Sequence, residues 1–388
     1  MPVITDSAEL KKRITPLMKE TFVTVDTEFV REKVYYPQLC LIQLGGSEDA
    51  FAVDPMAKGL DMEPLIKLLR NKKVLKVFHA AQQDLEVFFN LMGKLPTPIF
   101  DTQLAALVLG HGEAPSYAKL VKEICHKQLD KSSRFTDWSK RPLTEKQVEY
   151  AISDVTYLRK IYERFSKLLQ DKNREHWLIE EIESMTDTKQ YELKADDAWE
   201  RLKTKKHLTN EQQSCIRALA AWRETRAQKQ NTPRSWVMKD DLLLEIAETM
   251  PETMADLEHM RRLSSNMVKS FGEEIIATVK KARRRKLTDL LPSLPRRSTP
   301  KANESLVTLL KVLLKMRCEK EKVAQRVVAR TEDLERIAAM NNPDVPAMKG
   351  WRYEVFGRYA LALKNGTLAL AADGNKIVLL QQHDEAPR

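Results

Sequence analysis

The sequence predicts an α/β domain with a mixed sheet in the first half of the chain and all-helical domains behind it. Three short runs rich in β-branched and aromatic residues precede residue 54, which indicates an antiparallel meander. After residue 208 the pattern is helical, apart from two short apolar runs at 367–370 and 377–380. A chain of 388 residues exceeds the roughly 250–300 at which a single core stops growing, so two or three domains are expected.

The elements of the first domain follow from apolar spacing and from turn residues. Strands are predicted at 21–30, 36–46, 50–53 and 73–78, and helices at 64–69 and 82–92. Gly45-Gly46 ends the second strand, and Asp54-Pro55 ends the third. From about residue 101 the pattern is helical again, which completes a mixed α/β domain.

Polar composition marks a junction at 172–207, which we interpret as a polar helical linker with solvated stretches at 171–175 and 203–207. Two later stretches resemble each other. Arg226, Asp241-Leu242 and Phe271-Gly272 in the first stretch correspond to Arg317, Asp333-Leu334 and Phe356-Gly357 in the second. The offset is 91 or 92 residues at first and 85 at the end, so two copies of one helical module with a short indel explain it. Chance similarity between two helical stretches is the alternative.

A basic run extends from Lys280 to Lys286 and is followed by prolines at 292, 295 and 300. We interpret it as a basic helix end that leads into a stiff linker. A solvated helix face, a phosphate-binding stripe and a nuclear localisation signal are all compatible with this composition.

The formal net charge of +10 indicates a polyanionic partner. No apolar run approaches the roughly 20 residues that span a bilayer, so no membrane association is expected. The first residues lack the basic and then apolar layout of a signal peptide, and none of the four cysteines shows metal-finger or redox spacing. These features predict a protein that stays in the reducing cytoplasm.

Asp26 and Glu28 stand two apart in a predicted strand, so both side chains point to one face of the sheet. Two adjacent carboxylates repel each other unless a proton or a cation intervenes. A divalent metal ion resolves the repulsion, and oxygen ligands favour Mg²⁺ or Mn²⁺. The Asp-x-Glu pattern occurs five times in the chain, but only this pair lies in a β run.

Three further residues extend the pair. Tyr150 and Asp154, four apart in a helix, share a face, and Asp84 lies in the first turn of the helix after the fourth strand. A half-buried helix and a dipole-favoured carboxylate are the structural alternatives. Taken together, Asp26, Glu28, Asp84 and Asp154 form a set that two divalent metal ions can share during in-line attack on phosphorus. Tyr150 would hold the attacking water but not act as base, because a phenol ionises near pH ~10.

Several other side chains have two interpretations. Phe29 and Gln43 are candidates for lining a substrate site, and Arg141 for clamping a phosphate or forming a surface ion pair. His79 and His111 are interpreted mainly as structural, with substrate contact as the alternative. Trp138 is interpreted as a packing residue rather than a base-stacking platform.

These residues resemble the exonuclease motifs of the DEDD superfamily, tyrosine subclass. The first motif is Asp26-Thr27-Glu28-Phe29, the second is Asp84 after Phe78-His79, and the third is Tyr150 with Asp154. The flanks at 35–44 and 137–143 are similar to bacterial ribonuclease D. The repeated helical module resembles the helicase-and-RNase-D C-terminal (HRDC) domain, although Leu263-Ser264-Ser265 stands in the first copy where the second has Gly350-Trp351.

The resemblance implies a ribonuclease-H-like exonuclease domain followed by two HRDC domains. The domain plan is 1–171 for the exonuclease, 172–207 for the polar linker, 208–288 for the first HRDC domain, 289–302 for the basic linker, 303–375 for the second HRDC domain and 376–388 for a tail. The resemblance also implies 3′→5′ hydrolysis of RNA with release of nucleoside 5′-monophosphates. The implied substrates are RNAs with a single-stranded 3′ end, such as precursor tRNA. Asp26, Glu28, Asp84 and Asp154 carry over as ligands of two metal ions and Tyr150 as the water-positioning residue, in an enzyme expected to be a monomer.

Two other functions remain open from the residues. The same metal chemistry serves DNA 3′ ends, because discrimination depends on contacts to the 2′-hydroxyl. A non-catalytic nucleic-acid-binding protein would fit the basic charge and the helical modules. A binder of polyanions gains nothing from four clustered carboxylates, which favours the enzyme.

Overall fold

A computed structural model describes residues 3–130, 132–133, 136–204, 208–284 and 302–381. Its first domain contains one six-stranded sheet. The strands are β1 Val3–Ile4, β2 Phe22–Val30, β3 Gln38–Gly45, β4 Ala50–Val53, β5 Leu75–Phe78 and β6 Ile99–Asp101. Their order is β1-β4-β3-β2-β5-β6, with β2–β3 and β3–β4 antiparallel and the other pairs parallel. The predicted meander is therefore confirmed. Sequence analysis did not predict β1 and β6, because two or three residues are too few to show an alternating pattern.

Helices cover both faces of this sheet. They are α1 Ser7–Leu17, α2 Glu63–Arg70, α3 Gln82–Met92, α4 Thr102–Leu109, α5 Tyr117–Leu120 and α6 Glu145–Asp171. A π-helical turn, Val121–Cys125, follows α5. One face of the sheet forms a core with α1, α2 and α3. The other face packs against the first turns of α6, through Val148, Ala151 and Ile152.

The long helix α6 is specified by local sequence. Thr144 caps its N-terminus, and Gln147 returns a hydrogen bond to the Thr144 backbone in a capping box. Buried residues recur every three or four positions, at Val148, Ile152, Val155 and Leu158. This spacing fixes which side of the helix faces the sheet, and so which side chains reach its central strands.

The segment predicted as a solvated linker is only partly solvated. It contains α7, Glu175–Met185, whose Trp177 and Leu178 are buried. The prediction that 171–175 is solvated is wrong for Arg174, which is buried and donates to the backbone oxygens of Val108 and Glu321. The polar composition of the whole segment 172–207 does not reveal these few buried positions, because charged residues dominate its average.

Two helical regions follow the exonuclease-like domain. The first contains α8 Asn210–Gln230, α9 Arg234–Val237, α10 Asp240–Thr249, α11 Met254–Glu258 and α12 Ser265–Arg283. The second contains α13 Glu304–Glu321, α14 Gln325–Val328, α15 Thr331–Ala339, α16 Gly350–Arg352 and α17 Arg358–Lys364, with a π-helical turn at Tyr353–Gly357.

A β-hairpin follows α17. Strands β7 Leu368–Asp373 and β8 Lys376–Gln381 pair antiparallel, so the boundary expected at 375 falls in the hairpin's turn. Most of the basic linker predicted at 289–302, and the end of the tail from residue 382, lie outside the described residues. Within the described part of the chain, no helix has the length and apolar character needed to cross a bilayer.

Candidate active site

The central strand β2 presents the first two carboxylates. It lies between β3 and β5, and Asp26 and Glu28 point to the face on which α6 packs. A register irregularity between Glu28 and Phe29 breaks the pairing with β3 there. Such a bulge re-aims neighbouring side chains, and Phe29 lines the same cavity as Glu28.

Helix α6 brings the third carboxylate to this pair. Asp26, Glu28 and Asp154 each offer one oxygen, and the three oxygens lie within 4.8 Å of one another. Tyr150, one turn before Asp154, lines the same cavity, and its ring centroid is 6.2 Å from that of Trp138. The spacing of four that the sequence shows therefore places both α6 residues at the carboxylates of β2.

Asp84 reaches the cavity from the turn between β5 and α3. Ala80 adopts a left-handed conformation in this turn, with φ of 60°. The backbone N–H of Ala81 donates to the buried Asp101 carboxylate at 2.7 Å, which fixes the start of α3. The Thr27 hydroxyl donates to Asp84. Asp84 is thus bonded directly to Thr27 of β2, and the helix that carries it is fixed at its start by Asp101 of β6.

The cavity has a volume of about 460 Å³. Besides Asp26, Glu28, Phe29, Asp84, Tyr150 and Asp154, its lining includes His79, Gln83, Gln103, Ser116, Tyr117 and Leu129. His79 Nδ1 lies 3.0 Å from the Thr102 hydroxyl, and the Tyr117 hydroxyl donates to the Ser153 carbonyl at 3.0 Å. The sequence offered no signal for Gln103, Ser116 or Tyr117, because they come from α4, α5 and the loop between them, far from the motifs.

The electrostatics of the site are those of crowded, buried acids. Burial and the nearby charge of Asp154 raise the pKa of Asp26 well above its ordinary value. Burial and the charge of Asp26 raise the pKa of Asp84 in the same way. The charged forms are therefore costly in the protein alone, and a cation among them removes the cost. A donor set made only of carboxylate oxygens suits a hard divalent cation.

Comparisons with known proteins agree with this geometry. Residues 1–170 match a 3′-5′ exonuclease domain model, and residues 212–279 match an HRDC domain model. Ribonuclease D of Nitrobacter hamburgensis is 44% identical over 386 residues, covering 98% of this chain and 100% of the relative. The chain belongs to the ribonuclease D family. Ribonuclease D of Jannaschia sp. is 45% identical over 383 residues, covering 97% of this chain and 99% of that protein.

A solved structure supports the same assignment. Escherichia coli RNase D has a TM-score of 0.81 and 29% identity, with 94% of this chain and 98% of that chain covered. This member of the ribonuclease D family is thus a 3′→5′ exoribonuclease, with an α/β mixed-sheet exonuclease domain followed by a helical HRDC domain. Its exonuclease fold implies divalent metal ions, and the oxygens of Asp26, Glu28 and Asp154 fit such an ion.

Of the two interpretations of Arg141, an ion pair or a phosphate clamp, the structure of this ribonuclease D family member favours the ion pair. Its Nε and Nη2 donate to the Asp54 carboxylate at 2.6 and 2.7 Å, and Nη2 also donates to the Cys40 carbonyl at 2.6 Å. Nη1 donates to the Trp138 and Lys140 carbonyls at 2.7 and 2.9 Å. All five N–H donors of a guanidinium are then occupied, and none remains for a phosphate. Arg141 instead ties the loop before α6 to β3 and to the end of β4.

Gln43 is a correction to the predicted site. Its side chain is fully buried and is not among the residues that line the cavity, so the structure does not bring it to the predicted substrate site. Neither its amide nitrogen nor its amide oxygen has a hydrogen-bond partner within the described residues. Each such unsatisfied group costs roughly 1–3 kcal/mol.

The remaining predicted side chains divide between cavity and core. His79 lines the cavity, whereas His111 packs on Phe165, with ring centroids 5.2 Å apart, and lies 3.8 Å from Glu123. Trp138 is buried in the core between the sheet and α6, which confirms its packing role. Phe29 lines the cavity beside the carboxylates and stays a candidate for substrate contact.

Proposed function

We propose that this exoribonuclease removes single nucleotides from RNA 3′ ends with two divalent metal ions held by Asp26, Glu28, Asp84 and Asp154. The observation that carries the proposal is the approach of the Asp26, Glu28 and Asp154 oxygens to within 4.8 Å, with Asp84 on the same cavity. Mg²⁺ or Mn²⁺, when bound, would supply an acidified water and neutralise charge on the leaving oxygen. The products would be nucleoside 5′-monophosphates.

The protein's own residues would orient the reactants. Tyr150 would hold the attacking water through its phenol hydroxyl, since Tyr150 lines the cavity one helical turn before Asp154. This is the role expected of the tyrosine in the tyrosine subclass of the DEDD superfamily, to which we propose that the enzyme belongs. Phe29 and His79, on the lining beside the carboxylates, would contact the terminal nucleotide.

The proposed substrate is RNA with a single-stranded 3′ end, such as a tRNA precursor. We propose that the enzyme acts as a monomer in the cytoplasm. The net charge of +10 supports a polyanionic substrate. The related Escherichia coli RNase D is described as an exoribonuclease involved in structured RNA processing. Precursors with a structured body and a short tail belong to that class.

The second helical region is proposed as a second HRDC domain. An offset of 91 residues carries α9, Arg234–Val237, onto α14, Gln325–Val328. The helices that precede them, α8 and α13, also end alike. Asn231 caps α8 and Lys322 caps α13, each in the left-handed conformation. In both regions an arginine of the long first helix lies over an aromatic ring, Arg226 over Phe271 at 4.6 Å and Arg317 over Tyr359 at 4.0 Å.

We infer that the RNA tail leaves the site along a cleft at the end of β2. The cleft has a volume of about 660 Å³, and its charged lining residues are Arg31, Arg234, Lys239, Asp240 and Asp241. Trp236 on α9, next in sequence to the lining residue Ser235, is 60% exposed, and an exposed aromatic ring suits base stacking. We expect the nucleotides upstream of the 3′ end to pass here.

The catalytic proposal is tested with 5′-labelled RNA that carries a single-stranded 3′ tail, beside DNA of the same sequence. Reactions contain Mg²⁺, Mn²⁺ or a chelator. A ladder that shortens one nucleotide at a time from the 3′ end is expected on RNA with metal, lost with chelator and with Asp154→Ala, and strongly slowed in Tyr150→Phe. Glu149→Ala, an exposed carboxylate on the same helix, is the matched control and should keep full activity. A ladder on DNA alone, or equal activity of Asp154→Ala and Glu149→Ala, would refute the proposal.

The route of the tail is tested by binding in chelator, where cleavage does not occur. Trp236→Ala should weaken binding of tailed RNA several-fold, because base–aromatic stacking contributes roughly 1–3 kcal/mol. Ile179→Ala removes a hydrophobic side chain of similar exposure, 54%, from α7 and should bind normally. Point substitutions are preferred to deletion of 208–388, because buried residues of the second helical region share a core with the exonuclease domain.

A further inference from the structure

The side-chain amide of Gln43 needs an explanation that packing does not provide. It is fully buried, and both of its polar atoms lack a hydrogen-bond partner among the described residues. Its surroundings are apolar, since Leu41, Ala52 and Ile152 form the core between the sheet and α6 at this point. A methionine would fill the same space without the cost of burying a primary amide. The amide is therefore expected to gain its partner in a different state of the protein.

The sheet register identifies that partner. Gln43 stands directly opposite Asp26 in the antiparallel β2–β3 pair. Opposite residues point to the same face, with Cβ atoms roughly 4.5–5.5 Å apart, which is within reach of a glutamine side chain. That face is the one toward α6, because Thr24, two residues before Asp26, donates from it to the Val155 carbonyl at 2.8 Å. An amide N–H₂ group is a donor, and an ionised carboxylate accepts only.

We propose that Gln43 is a positioning residue for Asp26: in the metal-loaded enzyme its amide donates to the Asp26 carboxylate and holds that carboxylate in its ligating orientation. The inference rests on the proposed function, because it takes Asp26 to be a metal ligand. The same arrangement already exists at another predicted ligand, where the Thr27 hydroxyl donates to Asp84. Groups that orient ligands in this way commonly contribute 10–100-fold to metal affinity.

A positioning glutamine and a merely structural one predict different changes in two quantities, the melting temperature without metal and the affinity for metal. Replacing Gln43 with methionine removes two unsatisfied polar atoms at nearly constant volume. The melting temperature without metal should then stay the same or rise. Metal affinity should fall, because Asp26 loses its donor. A glutamine that only supports the fold, for example through a buried water, would show the opposite pattern, with a lower melting temperature and unchanged affinity.

The experiment measures Mn²⁺ binding to the full chain by electron paramagnetic resonance, which needs no turnover, and thermal unfolding in chelator. Gln43→Met should bind Mn²⁺ about tenfold more weakly or worse than the wild type, with no loss of melting temperature in chelator. Thr24→Val is the matched control. It removes a buried polar group from the same face, but one whose hydroxyl is bonded to Val155. We expect this control to melt at a lower temperature and to bind Mn²⁺ within twofold of the wild type.

Asp154→Ala separates failure of this inference from failure of the proposed function. If Asp154→Ala loses Mn²⁺ binding while Gln43→Met keeps wild-type affinity, Gln43 does not position Asp26 and only the inference is overturned. The inference is also overturned if Gln43→Met behaves like Thr24→Val in both measurements. If the wild type binds no Mn²⁺, or Asp154→Ala binds it normally, the metal site itself is wrong and both proposals are overturned.

Discussion

The two helical regions have related layouts but are attached to the exonuclease domain by different forces. The first, residues 208–284, meets it at Tyr35, whose hydroxyl donates to Glu224 and accepts from Arg234 Nη2 at 3.0 Å. Asn231 accepts from the Tyr35 and Tyr36 backbone N–H groups at 3.1 and 3.0 Å. We refer to this set, with Glu224 and Arg234, as the polar joint.

The second region, residues 302–381, is attached by an extensive aromatic and apolar contact, together with the ion pairs Arg352–Glu181 and Arg174–Glu321. Trp351 stacks on Trp177 of α7, with ring centroids 4.7 Å apart and planes inclined by 16°. Its indole N–H donates to Glu181 at 2.7 Å. Buried residues of this region and of the exonuclease domain belong to one hydrophobic cluster. We refer to the Trp177–Trp351 contact as the aromatic joint.

The two helical regions of this chain are therefore attached to the exonuclease domain in different ways. Burial of apolar surface is non-directional and makes the second region part of the stability of the catalytic domain. The polar joint depends on charges that must be desolvated and aligned. Its strength should therefore change with pH and with the removal of a single polar group. Four measurements test whether the two joints differ in this way.

The largest effect is expected at the aromatic joint. Trp351 is fully buried, so Trp351→Ala should lower the free energy of unfolding by about 3–5 kcal/mol. Calorimetry or denaturant unfolding measures it. Trp236→Ala, at a tryptophan that is 60% exposed, is the control and should change stability by less than about 0.5 kcal/mol. Equal losses in the two variants would remove the distinction between the joints.

The next effect is expected from the buried acid of the polar joint. Glu224 is 1% exposed and accepts from Arg234 Nη2 at 2.7 Å. Glu224→Ala leaves Arg234 and the Tyr35 hydroxyl without their acceptor, at a cost of about 1–3 kcal/mol. Hydrogen exchange should rise in residues 31–38 and stay unchanged in α7. Glu211→Ala, an exposed glutamate on the same helix, should leave both segments unchanged.

Acid should weaken the polar joint through the same residue. Burial works against the charged form of Glu224, but hydrogen bonds from Arg234 and Tyr35 prevail and hold its pKa below the ordinary value of 4.5. A depressed folded pKa gives stability that is present above the unfolded pKa and lost as pH falls through the folded one. Glu224→Gln imitates the protonated acid. The difference in melting temperature between wild type and Glu224→Gln should therefore be largest near neutral pH and shrink as the pH falls below 4.5 through the lowered pKa of Glu224. A difference that is constant with pH would show that the Glu224 charge does not contribute.

The smallest effect is expected from one hydroxyl group. Tyr35→Phe removes the bridge between Glu224 and Arg234 but leaves their direct contacts, so we expect a loss of about 1 kcal/mol. Tyr36→Phe is the control, because the Tyr36 side chain is 36% exposed. Unfolding in denaturant measures both, and a larger loss in Tyr36→Phe would contradict the assignment of Tyr35 to the joint.

The sequence predicts the local parts of this molecule well. Strand β4 at Ala50–Val53 and helix α3 at Gln82–Met92 match their predicted bounds, because each has its own turn signals and spacing. Asp26, Glu28 and Asp154 were expected together, and the structure brings them together, because residue spacing fixes the face of a strand or helix.

The sequence does not reveal contacts that depend on tertiary packing. Arg141 pairs with Asp54, which is 87 positions away in the sequence, and no local pattern predicts that pairing. The sequence makes Gln43 a candidate for lining a substrate site, although its side chain is fully buried in the structure. The buried Trp177 lies in a segment whose charges dominate any window average. Each of these outcomes is set by residues distant in the chain.

The close approach at Gly110 has a consequence for the order in which the protein can be made. A Cβ atom at this position would lie 1.9 Å from the backbone oxygen of Lys322, so two main chains meet there without a side chain between them. The partner backbone is synthesised more than two hundred residues after Gly110. During translation the exonuclease domain therefore emerges with an exposed surface at Gly110, which the second helical region covers later. A chain that ended before that region would expose the apolar surface that the region buries, and exposed apolar surface promotes aggregation.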